Sequence, residues 1–330
     1  MTPLRIAIVG CGLIGRKRAH AAPPHKVVLT ADLDRARAAA LGADCGARAV
    51  DRWEDVLTDE VDLVVVATAH DWLAPIALAA IHAGKHVLIE KPGGRRADEV
   101  AEIARLANEK GLVAKVGFNH RFHPALARAK ELVASGDFGP VMFIRAAYGH
   151  GGRPGYEQEW RFRKEVSGGG QLIDQGAHLL DLSRWYAGEF DRASGLIRSY
   201  FWDADVEDNC FISLERSDGA IAWLHAGWTE WKNRFVFEIM LREAKIEITG
   251  LGGSYGPERL TLYRMLPEMG PPETTTWEFP QADRSWQAEM ANTAGAVFGT
   301  EPVNGDASDA AAMLRIVEQV YQATSLIKQR

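Results

Sequence analysis

The strongest constraint on the fold lies at the start of the chain. An apolar run over 4–9 meets Gly10-Cys11-Gly12-Leu13-Ile14-Gly15, a helical segment covers 16–22, and a second apolar run over 27–31 ends at Asp32. Short, almost wholly apolar runs fit central parallel strands covered on both faces. Each glycine meets a separate demand: Gly10 permits the turn, Gly12 lets the backbone approach a pyrophosphate, and Gly15 lets helix and strand pack closely. The helix N-terminus then faces the anion, with Leu13 and Ile14 completing the loop. The order strand, glycine turn, helix, strand, acid is that of a dinucleotide-binding unit. Asp32 would accept hydrogen bonds from the adenosine ribose and repel a 2′-phosphate, which favours NAD over NADP. Asp34 either shares that role or is a loop acid ahead of a helix over 35–41.

The remaining pattern extends this unit. Segments 63–67, 86–89 and 113–116 read as buried strands, and 74–83 and 97–110 as helices stopped by Gly84 and Gly111. Such alternation predicts parallel strands with right-handed crossovers and ligands beyond the strands' carboxyl ends. Thr68, His70, Trp72, Glu90 and Lys91 occupy that edge and are the further cofactor-binding candidates.

With 330 residues the chain is about twice a typical domain, and the pattern changes after Gly117. A helix over 124–135 precedes alternating segments at 142–148, 195–200, 209–214, 220–228, 235–241, 244–248 and 260–263, and helices over 285–298 and 308–327 end the chain. The expected fold is α/β: an N-terminal Rossmann domain over 1–118, then an α+β domain over 119–330 with a large, mostly antiparallel open sheet. An open sheet needs cover, so a homo-oligomer, dimer or tetramer, joined through it is expected.

Composition narrows the partners. Acidic residues number 44 and basic ones 38, with no long basic run, which argues against nucleic acid. Cys11, Cys45 and Cys210 match neither a metal knuckle nor a stapled scaffold and read as buried small residues in a reducing interior. No apolar run approaches the ~18 residues of a membrane span, so no membrane association and a cytoplasmic location are expected. His120 and His123 are interrupted by Pro124 and lack a third ligand at diagnostic spacing, so no metal site is expected.

The chemistry is concentrated in 167–185. A glycine triplet, Gly168-Gly169-Gly170, leads into apolar positions at helical spacing from Leu172, which puts Asp174 and His178 one turn apart. An imidazole with a reference pKa of about 6.5 accepts an alcohol proton near neutral pH, and a carboxylate orients the ring. Asp181 lies near Arg184, and either supports the fold there or touches substrate.

These features resemble the glucose-fructose oxidoreductase/inositol dehydrogenase/rhizopine-catabolism (Gfo/Idh/MocA) family. The match is carried by the glycine turn, by Ala83-Gly84-Lys85-His86-Val87-Leu88-Ile89-Glu90-Lys91-Pro92, and by Gly169-Gly170 through Asp174, His178 and Asp181. Phe118-Asn119-His120-Arg121-Phe122-His123-Pro124 and the turn from Ser135-Gly136 to Gly139 add to it. The resemblance implies that Lys91 hydrogen-bonds the reacting hydroxyl beside the nicotinamide ribose, that Asp174 contacts substrate and orients the base, and that His178 is the acid/base. Glu90 then shapes the cofactor side and Pro92 the turn. The sequence departs from the family where Thr-Pro-Asn followed by histidine is common: Thr68-Ala69-His70-Asp71-Trp72-Leu73 stands there. His70 is a replacement for the asparagine, and Trp72 either walls the nicotinamide pocket or covers the sheet edge.

The implied reaction is reversible NAD-linked oxidation of a secondary carbinol in a sugar, sugar derivative or cyclitol. His120, Arg121, Tyr148, Arg153 and Arg161 are candidate substrate contacts beside Lys91, Asp174 and His178. Arg153, Arg161, Arg163 and Lys164 either bind a carboxylate or diphosphate or form a charged surface loop. Three alternatives stand: a reductase of a nucleotide-linked or acidic keto-sugar, an NAD-dependent redox-assisted glycosidase, and a non-catalytic NAD or sugar sensor. Trp286 is a further candidate for the cleft.

Overall fold

The computed structural model describes residues 2–328, which divide into two compact units. The first holds residues up to Asn119 together with Trp286–Leu314, and the second holds His120–Ser285 and the chain from Arg315. The division is therefore not the single cut at 118/119 that the sequence pattern suggests. Met290 and Ala294, on a helix over Ser285–Val297, belong to the apolar core formed by Leu4, Ile6, Ile8, Leu41, Leu63, Val65 and Leu88.

In the first unit the chain runs β1 (Arg5–Val9), α1 (Leu13–His20), β2 (Lys26–Ala31), α2 (Arg35–Cys45) and β3 (Arg48–Val50). It continues through β4 (Leu63–Val66), α3 (His70–His82), β5 (His86–Ile89), α4 (Ala97–Lys110) and β6 (Ala114–Val116). The strands form one parallel sheet in the order β3-β2-β1-β4-β5-β6. In register, Val9 pairs with both Ala31 and Val66, Val66 with Ile89, and Ile89 with Val116. The strands' carboxyl ends therefore lie along one edge. Helix α1 begins at Leu13, inside the glycine turn, three residues before the expected start at 16.

The second unit contains α5 (Pro124–Ala134), β7 (Val141–Gly149), α6 (Lys164–Ser167), α7 (Gln171–Asp174), α8 (Gly176–Ala187) and β8 (Arg192–Ser199). Strands β9 (Asn209–Glu215), β10 (Ile221–Gly227), β11 (Arg234–Leu241), β12 (Ala244–Thr249), β13 (Glu258–Arg264) and β14 (Glu273–Phe279) follow. After α9 (Ser285–Val297), α10 (Ala307–Ala323) supplies residues to both units, and β15 (Ile327–Lys328) joins the second. The nine strands form one sheet, β14-β13-β12-β11-β7-β10-β9-β8-β15, antiparallel except for the β7/β10 and β8/β15 pairs. Residues alternate between faces. Ile144, Ala146, Leu224, Phe237 and Ile239 are buried on the face that α5 and α8 cover. Met142, Leu196, Phe211, Ile221 and Trp223 are exposed, Trp223 at 64%.

The helix expected from Leu172 is in fact two pieces joined at Gln175, so Asp174 ends α7 and His178 lies in the first turn of α8. Among the described residues, no helix is long and apolar enough to cross a membrane.

Candidate active site

The edge of the parallel sheet collects most of the residues singled out in the first unit. Gly10 has φ +91°, and a Cβ there would lie 2.4 Å from the Ala67 carbonyl oxygen. A Cβ on Gly15 would lie 1.9 Å from the Gly10 carbonyl oxygen, so both positions exclude any side chain. At Gly12 the reason differs: a Cβ would meet nothing within 4 Å, so the space beside this backbone is open. Gly12 caps α1 without a side-chain hydrogen bond, leaving the helix's first N–H groups for an anion. The exposed Leu13 and half-buried Ile14 flank that opening.

Asp32 braces the turn. Its Oδ2 accepts from the Cys11 N–H at 2.6 Å and its Oδ1 from the Asp34 N–H at 2.8 Å. Each carboxylate oxygen carries two lone pairs, so both keep capacity for ribose hydroxyls. Asp34 has its own task, capping α2 through hydrogen bonds from Ala36 and Arg37. Burial pushes the Cys11 thiol up to about 12, which leaves it an inert packing group.

Thr68 follows β4, and its hydroxyl donates to the Ala69 carbonyl at 3.1 Å. His70 is the buried first residue of α3, and Trp72, in the same first turn, is 45% exposed. Glu90 and Lys91 follow β5, with the Glu90 N–H donating to the Val66 carbonyl at 2.8 Å and Lys91 half-buried. Glycine turn, ribose-type acid, open anion space and lysine thus share one sheet edge, and these residues fit a bound NAD.

In the second unit the glycine triplet is a clamp point. A Cβ on Gly169 would lie 2.0 Å from the Tyr321 hydroxyl, and one on Gly170 2.0 Å from the Glu207 carbonyl oxygen. Buried Glu207 uses one oxygen to accept from the Gly170 N–H at 3.1 Å, the Leu172 N–H at 3.0 Å and the Tyr321 hydroxyl at 2.7 Å. Burial raises its pKa, and the three donors oppose that shift. This clamp fixes the start of α7, which carries Asp174.

His178 is buried among rings. The imidazole of His120 stacks on it, and Tyr148 meets it edge-on at 6.2 Å between centroids. Tyr148 also packs against the Tyr255 ring, 5.3 Å between centroids, and burial holds its hydroxyl well above the ordinary tyrosine range. Gln175 reaches the Tyr255 oxygen at 3.5 Å, at the long limit for a hydrogen bond. Asp174 faces Arg161, whose Nε lies 3.5 Å from its Oδ2, and its charge is felt by Tyr148 and His150. Burial lowers the His150 pKa.

Asp181 supports the fold: it accepts two bonds from Arg121, at 2.6 and 2.9 Å, and Arg184 pairs with Glu189. The Arg121 guanidinium is thereby held inside the fold, over the Trp185 ring. Arg153 and Arg161 both pair with Glu159, which offsets the positive character expected of this loop. Trp286 lies in the first unit against Arg18. Glu207, Tyr255, Gln175 and Glu159 had no motif to mark them. Among the described residues, no group of three or more His, Cys, Asp or Glu side chains is arranged to hold a metal ion.

Comparison with known proteins agrees with this architecture. Residues 4–118 match the oxidoreductase family with an NAD-binding Rossmann fold, and residues 126–255 match the GFO/IDH/MocA C-terminal domain. Levoglucosan dehydrogenase of Pseudarthrobacter phenanthrenivorans is 30% identical over 218 residues, 61% of this chain and 55% of that protein. The match thus spans only about half the length of that relative. D-glucoside 3-dehydrogenase of Escherichia coli (strain K12) is 30% identical over 254 residues, 69% of this chain and 71% of that protein. A solved levoglucosan dehydrogenase in complex with NADH and levoglucosan shares the fold, with a TM-score of 0.88 at 22% identity over 98% of this chain and 97% of that one. The chain belongs to the Gfo/Idh/MocA family of oxidoreductases.

Proposed function

We propose that the chain is an NAD(H)-dependent oxidoreductase acting on a secondary hydroxyl of a sugar, sugar derivative or cyclitol. The observation that carries the reading is the buried, ring-stacked His178, in a segment pinned by Glu207, in a chain whose other unit has an NAD-type edge bearing Lys91. The names of the relatives, levoglucosan dehydrogenase and D-glucoside 3-dehydrogenase, support a polyhydroxylated substrate.

Bound NAD supplies a hydride acceptor for the carbinol carbon. The glycine turn and the α1 N-terminus hold its pyrophosphate, and Asp32 its adenosine ribose, where a 2′-phosphate would be repelled. Lys91 hydrogen-bonds the reacting hydroxyl oxygen, and His178 accepts its proton as the carbon–oxygen double bond forms. Asp174 contacts substrate and orients the base, and Arg161 faces Asp174. His120 and Tyr148 wall the imidazole, which limits its motion and its contact with water. Reduction runs the same roles backwards. The pairing of Arg153 and Arg161 with Glu159 weighs against a carboxylate or diphosphate held by that loop.

A homo-oligomer is part of the proposal. The uncovered sheet face carries Leu196, Phe211, Ile221 and Trp223, apolar side chains on adjacent strands whose burial against a second copy removes them from water.

The test is NADH formation with free aldoses, cyclitols, sugar acids, nucleotide sugars and glycosides, with aglycone release followed in parallel. NADH accumulating with one substrate group supports the dehydrogenase and names its class. Aglycone released without net NADH points to the redox-assisted glycosidase instead.

A further inference from the structure

Arg18 lies in the basic run Arg16-Lys17-Arg18 on α1, yet it is fully buried. Its Nε donates to Glu90 Oε1 at 2.6 Å, its Nη2 lies 2.6 Å from the same oxygen, and its Nη1 bonds Glu289 Oε2 on α9. The Trp286 ring covers the guanidinium, 4.4 Å from Cζ to ring centroid. A Cβ at Gly117 would lie 2.5 Å from Nη2, so a glycine is needed there to seat the group.

Burying one guanidinium between two carboxylates is a poor route to stability, because packed apolar side chains of similar volume do as well or better. What the charged group adds is direction, since the planar fork of N–H donors holds its acceptors at fixed angles. Here the acceptors are the residue just before Lys91 and a residue on a helix that returns from 271 positions away. Backbone bonds from Glu90 to Val66 and from Gly117 to Ile89 fix the same loop to the sheet.

We propose that Arg18 and Glu289 are positioning residues for Lys91: through Glu90 they lock the lysine's loop to the helix that begins at the pyrophosphate turn. This rests on the role proposed above for Lys91. A lysine at position 18 keeps the charge but cannot span both carboxylates, and a glutamine at 289 keeps the shape but removes one of the two anions.

The experiment compares full-length wild type, E289Q, R18K, K91A and the double variant K91A/E289Q. Its readouts are kcat, KM for each substrate, the primary deuterium isotope effect, NADH binding by fluorescence and Tm. We expect E289Q and R18K to bind NADH as wild type does while kcat falls about ten-fold, within what sub-ångström misplacement of a reacting group produces. The isotope effect should become larger as hydride transfer becomes limiting, and E289Q should cost nothing further once Lys91 is gone. Should R18K fail to fold, E289Q and the double variant decide. An inactive K91A beside E289Q and R18K with wild-type kcat overturns the positioning role alone. So does an E289Q loss that multiplies with that of K91A, or one that tracks only a lowered Tm. Full turnover in K91A overturns the Lys91 assignment and the positioning role with it.

Discussion

The imidazoles of His120 and His178 lie face to face, with centroids 3.7 Å apart and planes inclined by 19°. Such a stack confines the His178 ring to one plane and so aims both of its nitrogens. We expect H120F, which keeps a flat ring in that place, to retain more turnover than H120A, which leaves His178 free to tilt. Steady-state kcat beside NADH binding checks this, and equal activity in the two variants would remove the stack from the mechanism.

Asp32 accepts backbone N–H bonds from both Cys11 and Asp34, so its loss loosens the glycine turn as well as removing a ribose acceptor. D32A should therefore lower kcat/KM for NAD and narrow or reverse the preference over NADP. Measuring kcat/KM with each cofactor gives the ratio directly. An unchanged ratio would show that Asp32 does not discriminate between them.

Glu207 links stability to pH. Burial raises its folded-state pKa above the ordinary value of 4.5. A carboxyl raised in this way gives stability that is fully present below its unfolded value and is lost as pH rises through the folded one. E207Q cannot ionise and its carbonyl oxygen can still accept from Gly170, Leu172 and Tyr321. The difference in unfolding free energy, wild type minus E207Q, should therefore fall as pH is raised from about 4.5, as measured by urea titration. A pH-independent difference would contradict the assignment.

Trp223 is the most exposed of the large apolar side chains on β7, β8, β9 and β10. If this face joins copies of the chain, W223E buries an unpaired charge at the contact and should shift the assembly towards smaller species. Light scattering across a concentration series measures this. Wild type and W223E of the same mass would place the contact elsewhere.

The parts of the fold legible in sequence are those with local signals. The glycine turn, the apolar strands of the parallel sheet and the alternating strands 142–148 and 235–241 each satisfy a short-range rule. Strand β14, Glu-Thr-Thr-Thr-Trp-Glu-Phe, escaped because it lies at the sheet edge with little burial on either side, so no apolar alternation marks it. Strand β3 has only three residues.

Candidate site residues followed the same division. Gly10, Asp32, Lys91, Asp174 and His178 stand in motifs, whereas Arg18 owes its burial to Glu90 and Glu289, 72 and 271 positions away. Tyr321 reaches Glu207 across 114 positions, and Asp181 binds Arg121 across 60. Pairings over such separations are set by packing and leave no trace in spacing.

The most direct test measures turnover and NADH binding together in wild type, K91A and H178N, with the substrate group that wild type oxidises. We expect all three to bind NADH, and both variants to lose kcat by at least the ~10²-fold that positioned proton transfer contributes. Wild-type turnover in both variants would contradict the roles assigned to Lys91 and His178.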